Sequence, residues 1–107
     1  MEWVSIKKLW VNPFVYEGKI VVLVAAFEHM VTATSGMFIW GMYSDIVIVS
    51  CISKDMFTDK GVRVVLVAEG IGKTDFDMPF VGRMKVPELR FRAVLICRKY
   101  DCSEIIP

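Results

Sequence analysis

The sequence has no run of about 20 apolar residues, the length a membrane-spanning helix needs. Its longest uncharged apolar run is Ile20 to Phe27, so no helical membrane span is expected. Glu2 stands where a secretory leader would carry a basic residue, and no apolar stretch follows it. Either the chain works in the cytosol or a leader has been removed; the residues do not separate the two.

Chemistry is also sparse. His29 is the sole histidine, and no Ser or Cys is tied to it by a motif for nucleophilic catalysis. There is no GxxxxGK[ST] phosphate loop. Glu69-Gly70-Ile71-Gly72-Lys73-Thr74 comes nearest, but no glycine stands at the leading position, five residues before Gly72. No helix-forming stretch follows to hold a phosphate at its N-terminus, so the segment reads as a turn. His29, Cys51, Cys97 and Cys102 are soft ligands, yet their spacing matches no short zinc knuckle, and no metal or other cofactor is expected. Asp75 and Asp77 read as solvated loop charges. The chain is therefore not expected to be an enzyme. Three cysteines, an odd number, exclude a complete disulfide framework within one chain. Cys97 and Cys102 form the candidate disulfide, with Cys51 to Cys97 as the other pairing, against the default of buried thiols packing as small apolar groups.

What is present is apolar. Of 107 residues, 55% are apolar, and this length suits one domain, residues 1–107, with its own core. The net charge of +1 is uneven: residues 1–59 carry −2, residues 60–99 carry +5 and the last eight carry −2. The basic second half suits either solvated strand faces or phosphate attraction. The apolar excess suits either a well-filled core or a surface covered by a partner.

Trp3, Ile6, Leu9 and Trp10 fall at helical spacing, which predicts a short N-terminal helix over residues 2–10, packing both tryptophans and ending before Pro13. A turn at Glu17-Gly18-Lys19 leads into a strand from Ile20 to Met30 with apolar residues on both faces, so it is covered on both sides or bends. Strands are expected at Met37 to Met42 and Ile46 to Ile52, then one helical turn at Ser53 to Lys60 with Ser53 as its cap. A fourth strand follows Gly61, with Val62, Val64, Leu66 and Ala68 on one face and Arg63 and Glu69 on the other. Lys73 to Glu88 holds Pro79, Gly82 and Pro87 and reads as a long connection anchored by Phe80 and Val81. The last long strand runs from Leu89 to Cys97, with Leu89, Phe91, Ala93, Leu95 and Cys97 on one face. The tail after Arg98 is expected to dock back on the body.

Five strands in this order, the first long and bent, predict a mainly β fold: a five-stranded OB-like barrel with a short N-terminal helix. YEGKIVVLVAAF, Tyr16 to Phe27, resembles the opening of OB domains of the tRNA-anticodon-binding-like group, in which Gly-Lys leads a long valine-rich strand. KGVRVVLVAEGIG, Lys60 to Gly72, resembles the fourth strand of that group. The chain is also similar to small uncharacterised bacterial proteins with such domains. It departs from the group where Ala25-Ala26 replaces a glycine and where the helix between strands three and four is barely present.

Two functional readings compete. The apolar excess points to a non-catalytic binding or assembly module, acting through a protein partner or self-association at an exposed patch or strand edge. The resemblance implies the alternative, a single-stranded nucleic-acid-binding domain. Phe38, Trp40 and Tyr43 would then stack bases, and Lys54, Lys60, Arg63, Arg90 and Arg92 would line the phosphate path. A third, weaker reading is an exported envelope domain that binds a peptide or glycan, motivated by the cysteines.

Overall fold

The computed structural model describes residues 2–41, 45–57, 60–78, 81–98 and 101–106; for 95–98 and 101–106 it describes the backbone alone. The strands are β1 (Glu2–Trp3), β2 (Ile20–Met30), β3 (Ser35–Trp40), β4 (Asp45–Ser50), β5 (Arg63–Met78), β6 (Gly82–Arg98) and β7 (Asp101–Ile106). The helix α1 spans Ile6–Val11, and a 3-10 turn spans Pro13–Tyr16.

β2, β3, β4, β6 and β5 pair in that order, and β5 returns to β2, so the sheet closes into a barrel. All barrel pairings are antiparallel except β4 with β6, which is parallel. This is the expected OB-like barrel. β1 adds in parallel beside β2, and β7 folds back antiparallel on β6, which docks the tail as its sequence suggests.

The period-two pattern of the barrel strands explains the interior. Val21, Leu23, Ala25 and Phe27 of β2, Val47 and Val49 of β4, and Val64, Leu66 and Ala68 of β5 are buried in one core. The outer residues of β2 are apolar too: Val22 is buried, and Ile20, Val24 and Ala26 are half-buried. β2 carries a register shift against β3 between Phe27 and His29, where one extra residue forms a bulge.

β6 departs from the simple alternation of its sequence. Leu89 and Val94 are both buried although they differ in parity. A register shift against β5 between Val67 and Ala68 leaves Arg92 unpaired and swaps the two faces of β6, so Val94, not Ala93, turns inward.

The N-terminal helix is shorter than its spacing predicts. Ser5 caps it by accepting from the Lys8 backbone N–H, and Ile6 and Leu9 enter the core. Trp3 lies outside it, in β1, and is exposed rather than packed. Trp10 is half-buried, and its indole Nε1–H donates to the Ile46 carbonyl at 2.7 Å. Between β4 and β5, turns replace the expected helical turn: the Met56 N–H bonds back to the Ser53 carbonyl, and Phe57 is buried.

The largest correction concerns Lys73 to Glu88. It is not a connection but a hairpin arm, in which β5 and β6 stay paired from Gly72–Glu88 out to Met78–Gly82. The Gly70-to-Thr74 stretch is likewise strand, not turn. Val81 is exposed at the tip and anchors nothing, while Pro79 and Phe80 lie outside the described residues. Phe76, Met78, Met84 and Val86 form one face of the arm and pack against Met37, Ile39, Ile46 and Ile48, the outward residues of β3 and β4. Lys73, Asp75, Asp77, Arg83 and Lys85 form the other, exposed face.

Candidate functional site

Nucleic-acid-binding OB domains use the outer face of the second and third barrel strands. In this chain those strands are β3 and β4, and their outer face is apolar and lies under the hairpin arm. Phe38 points the other way. It is fully buried, edge-on to Phe27 at 5.4 Å and to Phe57 at 5.1 Å between ring centroids. Its assignment as a base-stacking residue is thereby corrected: no base reaches its ring without opening the barrel.

Trp40, at the end of β3, keeps 40% of its surface exposed. The Arg63 guanidinium lies 5.7 Å from its ring centroid, within cation–π range. The two meet because Ala26 of β2 pairs with both Ile39 and Arg63, and its small side chain leaves the outer face open. Ala26, Ile39, Trp40 and Gly41 line an open cleft of about 440 Å³ there. Tyr43 lies outside the described residues.

The cations do not form one path. Lys60 reaches Glu28, Nζ to Oε1 2.7 Å. Arg92 pairs with Glu69, and Arg90 stands exposed opposite Glu69 in the ladder. Arg63 and Glu69 are six positions apart on β5, roughly 20 Å at the rise of an extended strand. Lys54 is exposed on the turn after β4, apart from both groups in sequence. The structure thus joins Trp40 with Arg63, pairs Lys60 with Glu28, and separately sets Arg90 and Arg92 beside Glu69.

The remaining chemistry is dispersed. Among the described residues, no three His, Cys, Asp or Glu side chains gather around a common point. Cys51 is an exposed thiol with φ at 64°. The side chains of Cys97 and Cys102, the candidate disulfide, lie outside the described set. No helix among the described residues is long and apolar enough to cross a membrane.

A further set of exposed large apolar side chains lies elsewhere. Val11, Phe14 and Val15, from the end of α1 and the 3-10 turn, stand in solvent, Phe14 with 73% of its surface exposed. The turn itself is held firmly. Tyr16 is buried, and its carbonyl oxygen abuts Gly70 of β5 so closely that a Cβ there would lie 2.2 Å away. Sequence reading passed over this ridge; the apolar residues flanking Pro13, which cannot all face inward from so short a turn, were its signal.

No protein-family model matches the chain, and no curated protein matches it. Among solved structures it is similar to a chain assigned as an aspartyl-tRNA synthetase from Leishmania major Friedlin, with 12% identity and a TM-score of 0.53. The match covers 88% of this chain and 20% of that one. At this identity the likeness concerns the fold, and the chain spans about a fifth of that protein's length.

Proposed function

We propose that this chain is a non-catalytic binding or assembly module that acts through protein–protein contact and needs no cofactor. One observation carries the reading: Phe14 and Val15 are exposed on a turn that is itself pinned to the barrel, and Val11 is exposed at the end of the helix that leads into it. Each square ångström of apolar surface left in water forgoes about 25 cal/mol of burial. Grouped apolar exposure on a fixed element is the usual mark of a contact surface. A photo-crosslinking phenylalanine analogue in place of Phe14, irradiated in cells, tests it. A covalent adduct with another polypeptide chain is expected; absence of any adduct overturns the reading.

A second reading, single-stranded nucleic-acid binding, is favoured by one specific feature, the exposed Trp40 ring under Arg63 beside an open cleft. An aromatic face with a cation is what base stacking uses, each stacked base giving about 1–3 kcal/mol. The similarity to part of an assigned aspartyl-tRNA synthetase, an enzyme whose name gives a tRNA as its substrate, agrees with this. The covered β3–β4 face and the split cations count against it. Titration with oligo-dT at low salt, where phosphate attraction is strongest, decides: quenching of tryptophan fluorescence that high salt reverses supports this reading, and unchanged fluorescence removes it.

A further inference from the structure

β5 has two edges. β6 takes one of them along the whole strand. β2 takes the other from Arg63 to Glu69, and the Gly18 N–H and Lys19 carbonyl take it at Gly70, at 2.7 and 2.9 Å. From Gly72 to Met78 no strand among the described residues lies on that second edge.

The direction of the backbone groups there follows from Pro87. In an antiparallel ladder, pairs that exchange hydrogen bonds alternate with pairs whose N–H and C=O point away. Pro87 stands opposite Lys73 and has no N–H, which places that pair among the non-bonded ones. Counting by two, Lys73, Asp75 and Asp77 aim their backbone N–H and C=O groups at the open edge. Their side chains are the exposed ones, while Thr74, Phe76 and Met78 are half-buried toward the barrel.

We propose that this edge pairs with the same segment of a second copy of the chain, antiparallel and centred on Thr74. The proposal rests on the assembly reading above and names its partner. Charge selects the register. Centred on Thr74, Lys73 meets Asp75 of the partner subunit, and Asp75 meets the partner's Lys73, so opposite charges face each other twice in hydrogen-bonded pairs. Centred one residue later, Lys73 would meet Asp77 of the partner subunit twice, but Asp75 would face its own copy between them; one residue earlier, Lys73 would face its own copy with no opposite pair beside it. Like charges directly opposite destabilise a sheet pair, and opposite charges stabilise it. A twofold axis through Thr74 gives a closed dimer, not a growing ribbon. The pinned turn bearing Phe14 and Val15 packs on β5 beside Gly70, at the near end of this edge, where an approaching copy meets apolar side chains as well.

Sedimentation equilibrium of the full chain over a concentration series tests the proposal, with circular dichroism as a check that each variant keeps its barrel. A dimer is expected for the native sequence. Lys73→Asp should weaken it at least tenfold, by placing two pairs of like charges across the axis. The double swap, Lys73→Asp with Asp75→Lys, should restore dimerisation by restoring opposite pairs. A monomer at all concentrations overturns the proposal, as does a dimer indifferent to both variants. A monomer that still gives an adduct with a different protein from position 14 removes only the second copy and leaves the assembly reading standing. No dimer and no adduct removes both.

Discussion

The barrel and the hairpin arm are built from the same two strands, yet they bury their apolar residues differently. Within the barrel, Val64, Leu66 and Ala68 of β5 are sealed from water by four other strands and by α1. Beyond Gly72, Phe76, Met78 and Met84 continue the same alternation but are only half-buried, lying on the outside of β3 and β4. One continuous ladder therefore passes from a closed interior to an applied surface layer. One ladder of hydrogen bonds thus runs through two levels of burial, so local stability is expected to follow what the side chains meet on the far side.

The comparison is broken most severely at the barrel centre. Phe38→Ala empties a ring-sized space beside Phe27 and Phe57. Urea denaturation should show a loss of about 3–5 kcal/mol. Gly70→Ala comes next. It sits where the strand leaves the barrel, and its new methyl would strike the Tyr16 carbonyl, a backbone atom that has no rotamer to move to. About 1–3 kcal/mol should be lost in the same measurement.

Met84→Ala probes the arm. Because Met84 is half-buried, its removal should cost about 1 kcal/mol, well short of what a fully buried methionine gives up. A loss as large as that of Phe38→Ala would show that the arm is part of the core. Lys60→Ala removes the partner of Glu28 on the barrel surface and should change the calorimetric midpoint least, by the equivalent of less than about 1 kcal/mol.

Much of this division was legible from the residues. β2 occupies Ile20 to Met30, the bounds its valine-rich run predicts, and the inward set of β5 follows its alternation. The order of strands led to the OB-like barrel before any pairing was known. The arm was not legible because Pro79, Gly82 and Pro87 are punctuation in most sequences. Pro87 does not end the strand here: β6 stays paired with β5 on both sides of it, at Glu88 and at Val86. The signal that did exist was the alternation of Phe76, Met78, Met84 and Val86 with charged residues, the same period that marked the other strands.

The candidate site was read less well, for a different reason. Phe38 and Trp40 have the same parity on β3, so sequence placed both on one face. Curvature separates them: Phe38 lies in the middle of the closed sheet, and Trp40 lies at its rim, where the strand ends and the ring swings toward Arg63. Parity tells which side a residue takes, but not how far along a barrel that side remains enclosed. For Ala93 and Val94 even parity failed, since the unpaired Arg92 in β6 shifted the pattern.

The length of the β5–β6 hairpin also bears on the order in which the molecule assembles. Its contacts begin at Met78 and Gly82, neighbours in the chain, and extend outward one pair at a time. Barrel closure instead joins β2 to β5 across residues as remote as Ile20 and Glu69. Nearby contacts form early, and remote ones wait on the slower search for chain closure. The hairpin is thus expected to close first, like a zipper, and to present β2 with a ribbon whose register is already chosen.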